Sequence, residues 1–198
     1  MNIAEKVIKI IFDEVYPISG QSFRQITQLV EYKTIPKNEV FIQRGRTNSS
    51  EYFILEGICR SYLVNPDGDD IMISFFQAPA VLSPHITRTK DGLSLLYFQA
   101  ITDLQVAYFS EKALVELMIE NQEIRFFANT VLLDELIRKV EKEIGFASLT
   151  AKERLIRFRA VYDGLENKVP HPMIASYLGI TNISLSRLRR DLAEGKRN

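Results

Sequence analysis

The residues whose types and spacing indicate chemistry lie near the C-terminal end of the sequence, in positions 171–192, HPMIASYLGITNISLSRLRRDL. A helix-turn-helix needs a small residue where its helices cross, a turn residue that tolerates positive φ, and an apolar residue that locks the second helix. Ala175, Gly179 and Leu185 meet these needs in that order. Four further apolar residues complete a small core: Ile174, Leu178, Ile180 and Leu188. The segment therefore predicts two short helices that meet at a turn.

The second of these helices leaves one face outside that core. Its members follow the spacing i, i+1, i+4, i+5, i+8 and are Asn182, Ile183, Ser186, Arg187 and Arg190. A helix fits the major groove of B-DNA, where Asn pairs with adenine edges and Arg with guanine edges. An ordinary helical hairpin with a solvated basic face has the same spacing, so the pattern leaves both interpretations open.

Charge is distributed unevenly along the chain. The 198 residues include 25 basic and 25 acidic ones, a formal net charge of zero. Residues 147–198 hold ten basic residues against five acidic ones, a net charge of +5, so the first 146 residues carry −5. Clustered Lys and Arg bind phosphate backbones through counterion release. The local excess therefore favours a nucleic-acid-binding segment on an acidic body.

Upstream of this segment the apolar periodicity changes twice. Residues 3–15 and 23–30 follow helical spacing, and from about Tyr32 the period becomes two. The predicted strands are EVFIQ (39–43), EYFIL (51–55), ICRSYLV (58–64), DIMISFF (70–76), LSLLYFQAI (93–101) and LQVAYF (104–109). Turn residues separate these runs. Many short strands with regular turns predict a small antiparallel barrel or roll, and the pattern fits a sandwich equally well.

A long helix is predicted from about Gln122 to Ile144, after a shorter helix capped by Ser110. One stripe on the long helix has the 4, 3, 4, 3, 4 spacing of a coiled-coil seam: Phe126, Thr130, Leu133, Ile137, Val140 and Ile144. A second apolar set adjoins it: Phe127, Val131, Leu132 and Leu136. We expect the seam to pair with a second copy of the helix while the second set packs on the roll. The other interpretation is that both sets serve one intrachain core.

Two stretches carry a family resemblance. IASYLGITNISLSRLRRDL and YFILEGICRSYLVNPDGDDIMISFF are similar to the helix-turn-helix signature and to the cyclic-nucleotide-binding-like roll of the Crp-Fnr transcription regulators. The resemblance implies an α+β fold: an N-terminal antiparallel β-roll of the cupin-like, double-stranded β-helix type in residues 1–120, a dimerisation helix in 121–146, and an all-α helix-turn-helix domain in 147–198. It implies a cytoplasmic homodimer that binds double-stranded DNA. RNA polymerase and an unidentified small-molecule effector are further candidate partners.

The same resemblance, with Ser186 and Arg190 added from the shared helix face, assigns roles to single residues. The positions expected to contact bases are Asn182, Ile183, Ser186 and Arg187. The positions expected to contact DNA phosphates are His171, Thr181, Ser184 and Arg190.

The sequence departs from the family pattern in its roll and its recognition helix. Residues 80–96 lack the Gly-Glu pair of the family's nucleotide pocket, and no Glu lies between Gly57 and Ser110. Arg88 and Lys90 are the remaining candidates for a phosphate, although residues 87–92 are predicted first as an exposed turn. Ile183 stands where relatives commonly carry an acid, and an aliphatic side chain there can contact a thymine methyl. The expectation is a wingless short branch with a degenerate effector pocket.

Other candidate sites are weaker. Cys59 is the single cysteine, so it is predicted to be a core residue without a redox partner. A cupin-type metal enzyme needs several imidazoles, and the roll offers only His85, which is predicted to lie in a surface loop. Residues 67–70, DGDD, are predicted as a hairpin turn rather than a cation site.

We therefore expect no enzymatic activity, no cofactor and no metal. No apolar run approaches the roughly 20 residues of a membrane span, so we expect no membrane partner. A ligand-sensing or protein-interaction module that does not bind DNA is the alternative to a DNA-binding regulator.

Overall fold

The computed structural model describes residues 1–194. Lys196 and Arg197, which contribute to the predicted charge of the C-terminal segment, lie outside the described residues. The described residues form two compact units: one combines Met1–Ser61 with Phe75–Ile137, and the other combines Tyr62–Ser74 with residues 138–194. The predicted domain boundaries at residues 120 and 146 stay a prediction.

The described residues contain helices of two to seven turns and short strands. The helices are α1 (Ile3–Val15), α2 (Gly20–Thr27), α3 (Glu111–Glu120), α4 (Gln122–Ser148), α5 (Ala151–Val161), α6 (His171–Leu178) and α7 (Asn182–Glu194). The strands are β1 (Glu31–Ile35), β2 (Val40–Ile42), β3 (Ser50–Glu56), β4 (Ile58–Val64), β5 (Asp70–Gln77), β6 (Ala80–Leu82), β7 (Tyr97–Ala100) and β8 (Leu104–Ser110). Within residues 1–194 no helix combines the length and the apolar character that crossing a membrane requires.

Side-chain caps determine where several helices begin. Ser110 caps α3 as predicted, since its side chain accepts a hydrogen bond from the Ala113 backbone N–H at 3.1 Å. Thr150 caps α5, and it forms a capping box with Glu153. Such reciprocal bonds satisfy backbone N–H groups that a helix leaves unpaired in its first turn.

The strands form two four-stranded sheets, in the orders β1-β8-β3-β6 and β2-β7-β4-β5. Successive strands alternate between the two sheets except at β4 and β5, which are neighbours in one sheet. The turn between those two strands is the predicted one: the Gly68 N–H donates to the Asn65 carbonyl at 3.1 Å, and φ of Gly68 is +88°. This alternation is the winding of a β-roll, so the predicted fold class is confirmed.

Two strands escaped the sequence prediction, and one prediction was too long. β1 is exposed over most of its length, so it lacks the apolar alternation of a half-buried strand. β6 has only three residues. The run predicted at 93–101 begins as a strand only at Tyr97, because Leu93 and Ser94 form isolated bridges to Thr47 and Arg88 instead.

β3 is buried on both of its faces. Phe53 points to the helices, where its ring lies 5.7 Å from Phe12 of α1 and 6.4 Å from Phe127 of α4. Tyr52 points the other way, and its ring lies 5.8 Å from Phe41 of β2 in the second sheet. Alternate residues of a strand face opposite sides, so this one strand joins the helical layer to the interior of the roll.

Phe12 is the centre of the helical layer. It is fully buried, and its ring lies 4.0 Å from the Phe127 ring and 6.2 Å from the Phe23 ring. Val131 packs against the same cluster as Phe127, which agrees with the prediction that the second apolar set of α4 packs inward. Leu136 of that set is 58% exposed, so for this residue the prediction is wrong.

Replacing Phe12 by alanine will destabilise the first unit strongly. The substitution removes a buried ring and leaves a cavity between helices and sheet, so we expect the free energy of unfolding to fall by roughly 3–5 kcal/mol. Urea denaturation followed by circular dichroism measures this change. Ile10→Ala is the matched control, because Ile10 lies on the same helix and is 47% exposed. Equal losses in the two variants would contradict the packing described here.

Candidate nucleic-acid interface

The turn between α6 and α7 has the geometry that a helix-turn-helix requires. Gly179 follows α6 with φ +66°, a left-handed conformation that costs other residues free energy. The Ile180 N–H donates to the Ala175 carbonyl at 3.0 Å, and the Gly179 N–H donates to the Ser176 carbonyl at 3.1 Å. These two bonds form a Schellman motif, which ends one helix and redirects the chain into the next.

The predicted core holds the two helices together. Ala175 and Leu185 are 3% and 1% exposed, so both the small residue on α6 and the large residue on α7 are buried as predicted. Ile174 and Leu178 are also buried, whereas Ile180 and Leu188 are half-buried. α5 closes the core from behind with buried Leu155 and Phe158, and the Phe158 ring lies 5.5 Å from the Tyr177 ring.

Thr181 is the N-cap of α7 and directly precedes its first residue, Asn182. Its hydroxyl oxygen accepts a hydrogen bond from the Ser184 backbone N–H at 3.1 Å, and the two hydroxyl oxygens are 3.0 Å apart. Thr181 is exposed and Ser184 is half-buried. Both hydroxyls lie at the helix N-terminus, where backbone N–H groups favour anions. Their contact with DNA phosphates stays a prediction.

The remaining predicted DNA contacts form one surface. Asn182, Ile183, Ser186, Arg187 and Arg190 are all exposed, with Ile183 at 66%. Together with His171 and Pro172 of α6 they line one open cleft of about 520 Å³. Within residues 1–194 the side chains of Arg187 and Arg190 have no ionic partner, so their charges face solvent. The structure thus brings the four predicted base contacts together with two of the four predicted phosphate contacts, His171 and Arg190.

Arg189 behaves differently from the two arginines beside it. Its Nε donates to Oε1 of Glu166 at 2.8 Å, and its Nη1 contacts both ring nitrogens of His171, with Nδ1 at 3.1 Å. Glu166 also binds Arg159 of α5 through two hydrogen bonds, of 2.5 and 3.0 Å. These hydrogen bonds and the nearby positive charges lower the pKa of Glu166 below its usual value. We refer to Arg159, Glu166 and Arg189 as the Glu166 clamp.

The Glu166 clamp is not predicted by the sequence patterns. Glu166 lies in a 3₁₀ turn, Leu165–Asn167, that no periodicity marks, and its partners are 7 and 23 residues away along the chain. A weak signal existed. Arg189 follows Leu185 by four residues and so lies on the same side of α7 as this predicted core residue, which favours a partner within the protein.

A lysine on α4 supports the helix-turn-helix within the second unit. Lys142 Nζ donates to the Ile73 carbonyl of β5 at 2.7 Å and lies 4.0 Å from the centre of the Tyr177 ring on α6. Burial lowers the pKa of Lys142 to about 8. The same strand holds α6 through Ser176, whose hydroxyl accepts from the Met72 N–H at 3.0 Å. These contacts attach α6 to the first half of β5.

The predicted seam lies on the surface of the chain. Leu133, Ile137 and Ile144 are 55%, 45% and 54% exposed, and Phe126 and Val140 are 42% and 45% exposed. Thr130 is half-buried and bonds its own helix, donating to the Phe126 carbonyl at 2.9 Å. Exposed apolar side chains in a continuous heptad stripe are typical of a surface that pairs with another helix.

In the roll, the prediction that residues 87–92 form an exposed turn is wrong for Thr87 and Arg88. The turn at 87–92 is exposed at Lys90, but Thr87 is buried and the Arg88 side chain is 3% exposed. Nη2 of Arg88 lies 2.8 Å from Oε1 of Glu51, and Nη1 lies 2.7 Å from Oε2 of Glu111. The Nη2 group also donates to the Ser50 carbonyl at 2.7 Å. Two carboxylates attract this arginine inward, which is why a turn pattern in the sequence conceals a buried residue.

The other side chains singled out in the roll have local partners. His85 is exposed, and its Nδ1 lies 2.8 Å from Oε1 of Glu111. It belongs to a short 3₁₀ helix, Pro84–Thr87, rather than to an irregular loop. Cys59 is fully buried, and burial raises the pKa of its thiol. Its placement in the core agrees with the sequence prediction.

Several solved structures resemble this chain over most of its length. FixK2 from Bradyrhizobium japonicum superposes with a TM-score of 0.72 at 20% identity and covers 85% of this chain and 86% of its own. CLP from Xanthomonas campestris, a c-di-GMP-responsive global regulator, superposes with a TM-score of 0.71 at 13% identity. It covers 89% of this chain and 93% of its own. A mutant of CooA from Carboxydothermus hydrogenoformans superposes with a TM-score of 0.70 at 18% identity. It covers 95% of this chain and 84% of its own.

These structural neighbours are regulators of the Crp-Fnr family. At identities of 13–20% the likeness establishes the shared fold, a β-roll followed by a helix-turn-helix. No protein-family model and no curated protein sequence matches the chain.

Replacing Gly179 by alanine will destabilise the helix-turn-helix through two effects. The left-handed φ costs about 1 kcal/mol for a residue with a Cβ, and a Cβ at this position would lie 2.9 Å from the Phe146 ring. Gly164→Ala is the matched control, because Gly164 has φ +67° and a Cβ added there would meet no atom within 4 Å. We expect the loss of unfolding free energy in Gly179→Ala to exceed that in Gly164→Ala by about 1 kcal/mol. Urea denaturation measures both losses, and equal values would show that the Phe146 contact is unimportant.

Proposed function

We propose that this protein is a homodimeric, sequence-specific DNA-binding transcription regulator of the Crp-Fnr type. The observation that carries the proposal is the exposed face of α7, where Asn182, Ile183 and Arg187 project from a helix fixed by the Schellman turn at Gly179. Amide and guanidinium groups on a helix of this size read base edges in the major groove. The likeness to CLP, a global regulator, supports the same function.

The proposed interface separates base contacts from phosphate contacts. Arg187 and Asn182 supply hydrogen bonds to bases, and Ile183 supplies an apolar contact for a thymine methyl. His171, Thr181 and Arg190 border this face and supply the contacts that position the helix on the duplex. Ser186 completes the proposed set of base contacts, and Ser184 completes the proposed set of phosphate contacts.

A second copy of the chain completes the proposed site. Pairing of the seam on α4 would bury its exposed leucine, isoleucine and valine side chains. A two-fold dimer presents two copies of α7 to successive major grooves, about 34 Å apart. The operator expected for this protein is therefore a palindrome with half-sites one helical turn apart.

The roll is proposed to carry no cyclic-nucleotide site of the family type. Arg88 pairs with Glu51 and Glu111, so its charge is already neutralised within the protein. Between the sheets, the Phe98 ring lies 6.4 Å from Phe41 and 6.2 Å from Phe76. Any effector of this regulator is thus expected to use other groups, and its identity and site are unassigned.

Arg187→Ala will abolish specific DNA binding and leave the dimer intact. Arg187 is exposed and makes no ion pair within residues 1–194, so its loss removes a base contact without disturbing the core. Capture of genomic fragments by the wild-type protein, followed by sequencing, identifies the site, and fluorescence anisotropy then measures affinity for it. Lys152→Ala is the control, because Lys152 is an exposed cation on α5 outside the interface. Unchanged specific affinity in Arg187→Ala would refute the proposed face.

The same capture experiment separates the regulator from a module that binds only proteins or ligands. Binding to DNA through phosphates weakens steeply as salt rises, because counterions are released on binding. If no genomic fragment is enriched and the affinity for DNA does not depend on salt, the protein is a module that binds only proteins or ligands.

Ile137→Glu will convert the dimer to monomers. The substitution places like charges opposite each other at the centre of the seam, where the wild-type side chain is apolar and 45% exposed. Sedimentation velocity at micromolar concentration measures the change. Arg125→Glu is the control, since Arg125 is exposed on α4 outside the heptad positions of the seam. A dimeric Ile137→Glu variant, or a monomeric wild type, would exclude the seam as the dimer interface.

A further inference from the structure

We propose that Glu166 is a positioning residue for DNA recognition, whose carboxylate keeps Arg189 bound within the protein so that Arg189 does not contact DNA phosphates. The inference rests on the proposed function, because it concerns how the same interface separates specific from non-specific DNA. No base or phosphate contact is assigned to Glu166 itself.

The burial and geometry of the Glu166 clamp carry the first step. Glu166 is 9% exposed, and its two oxygens bind two guanidinium groups, those of Arg159 and Arg189. Bonds between a carboxylate and guanidinium groups in a sheltered position are short, directional and strong. Loss of the carboxylate charge would leave two arginines close together without their common partner.

The clamp also joins every element of the helix-turn-helix. Arg159 lies on α5, Glu166 in the 3₁₀ turn before α6, and Arg189 on α7. Through its Nη1, Arg189 further contacts His171, the first residue of α6. Through Arg189, this carboxylate therefore adds a polar constraint on the rotation of α7 about its own axis, beside the packing of the buried Leu185. That rotation decides which side chains of α7 point toward DNA.

The three arginines of α7 divide into two kinds. Arg187 and Arg190 are exposed on the cleft, whereas Arg189 is half-buried with its side chain 31% exposed. A released arginine next to Arg190 would reach the phosphate backbone and add affinity that is independent of sequence. By retaining Arg189, the clamp lowers non-specific binding and maintains the alignment that base contacts need.

Glu166→Gln tests the proposal, because glutamine keeps the size of the side chain and removes its charge. The probes are the most enriched genomic fragment and a scrambled duplex of the same length. We expect affinity for the enriched fragment to fall by roughly tenfold, comparable to the loss of one base contact. We expect affinity for the scrambled duplex to rise, and the slope of log affinity against log salt to steepen by about one per arginine released.

Asp191→Asn is the matched control for charge. Asp191 is exposed on α7, so its replacement removes the same negative charge without disturbing the clamp. We expect both affinities to change little and in the same direction. A fall of both affinities in Glu166→Gln, at an unchanged melting temperature, would overturn the proposal. An unchanged ratio of specific to non-specific affinity would also overturn it.

Arg189→Gln provides a second test that leaves the Glu166–Arg159 pair in place, and it decides the matter if Glu166→Gln fails to fold. Under the proposal this variant loses specific affinity while its salt slope stays that of the wild type. A slope reduced by about one would show that Arg189 is itself a phosphate contact, and the proposal would be wrong. A wild-type protein without any preference for the enriched fragment would instead refute the proposed function.

Discussion

The helix-turn-helix depends on the burial of Ala175 on α6 and Leu185 on α7, on either side of the left-handed turn at Gly179. Both side chains are almost fully buried, so the two helices are held at a fixed crossing. Because α7 completes a turn in 3.6 residues, burying Leu185 leaves Ile183 and Arg187, each two residues away from it, on the opposite side of the helix. The exposed face of α7 is thus a consequence of what the opposite face must bury.

A comparable constraint organises the first unit. β3 is covered on one face by helices and on the other by the second sheet, as Phe53 and Tyr52 show. A strand buried on both faces requires apolar or aromatic residues at consecutive positions, and YFIL at 52–55 satisfies that requirement. The polar residue at the start of this strand, Glu51, is tolerated because Arg88 lies 2.8 Å away. Burial nevertheless raises the pKa of Glu51 above its usual value.

Local patterns in the sequence predicted most elements of the fold, because those elements are determined by residues close together in the chain. The cap at Ser110, the turn at Gly179 and the strand at 58–64 all follow from neighbours within a few positions. The features that escaped prediction join distant residues. Arg88 with Glu51, and Glu166 with Arg189, are ion pairs between residues 37 and 23 positions apart. Periodicity carries no information about such pairs.

The position of α4 relates the two proposals to each other. Its seam is apolar and exposed in a single chain, and pairing would remove that surface from water. A symmetric dimer binds two half-sites at once, so any change in the free energy of one α7 contact enters twice in the binding of the whole operator. If Glu166 orients each copy of α7, the factor by which one copy raises the ratio of specific to non-specific affinity would be squared in the dimer. A dimer gains more than a monomer from a buried carboxylate that holds one arginine away from the DNA.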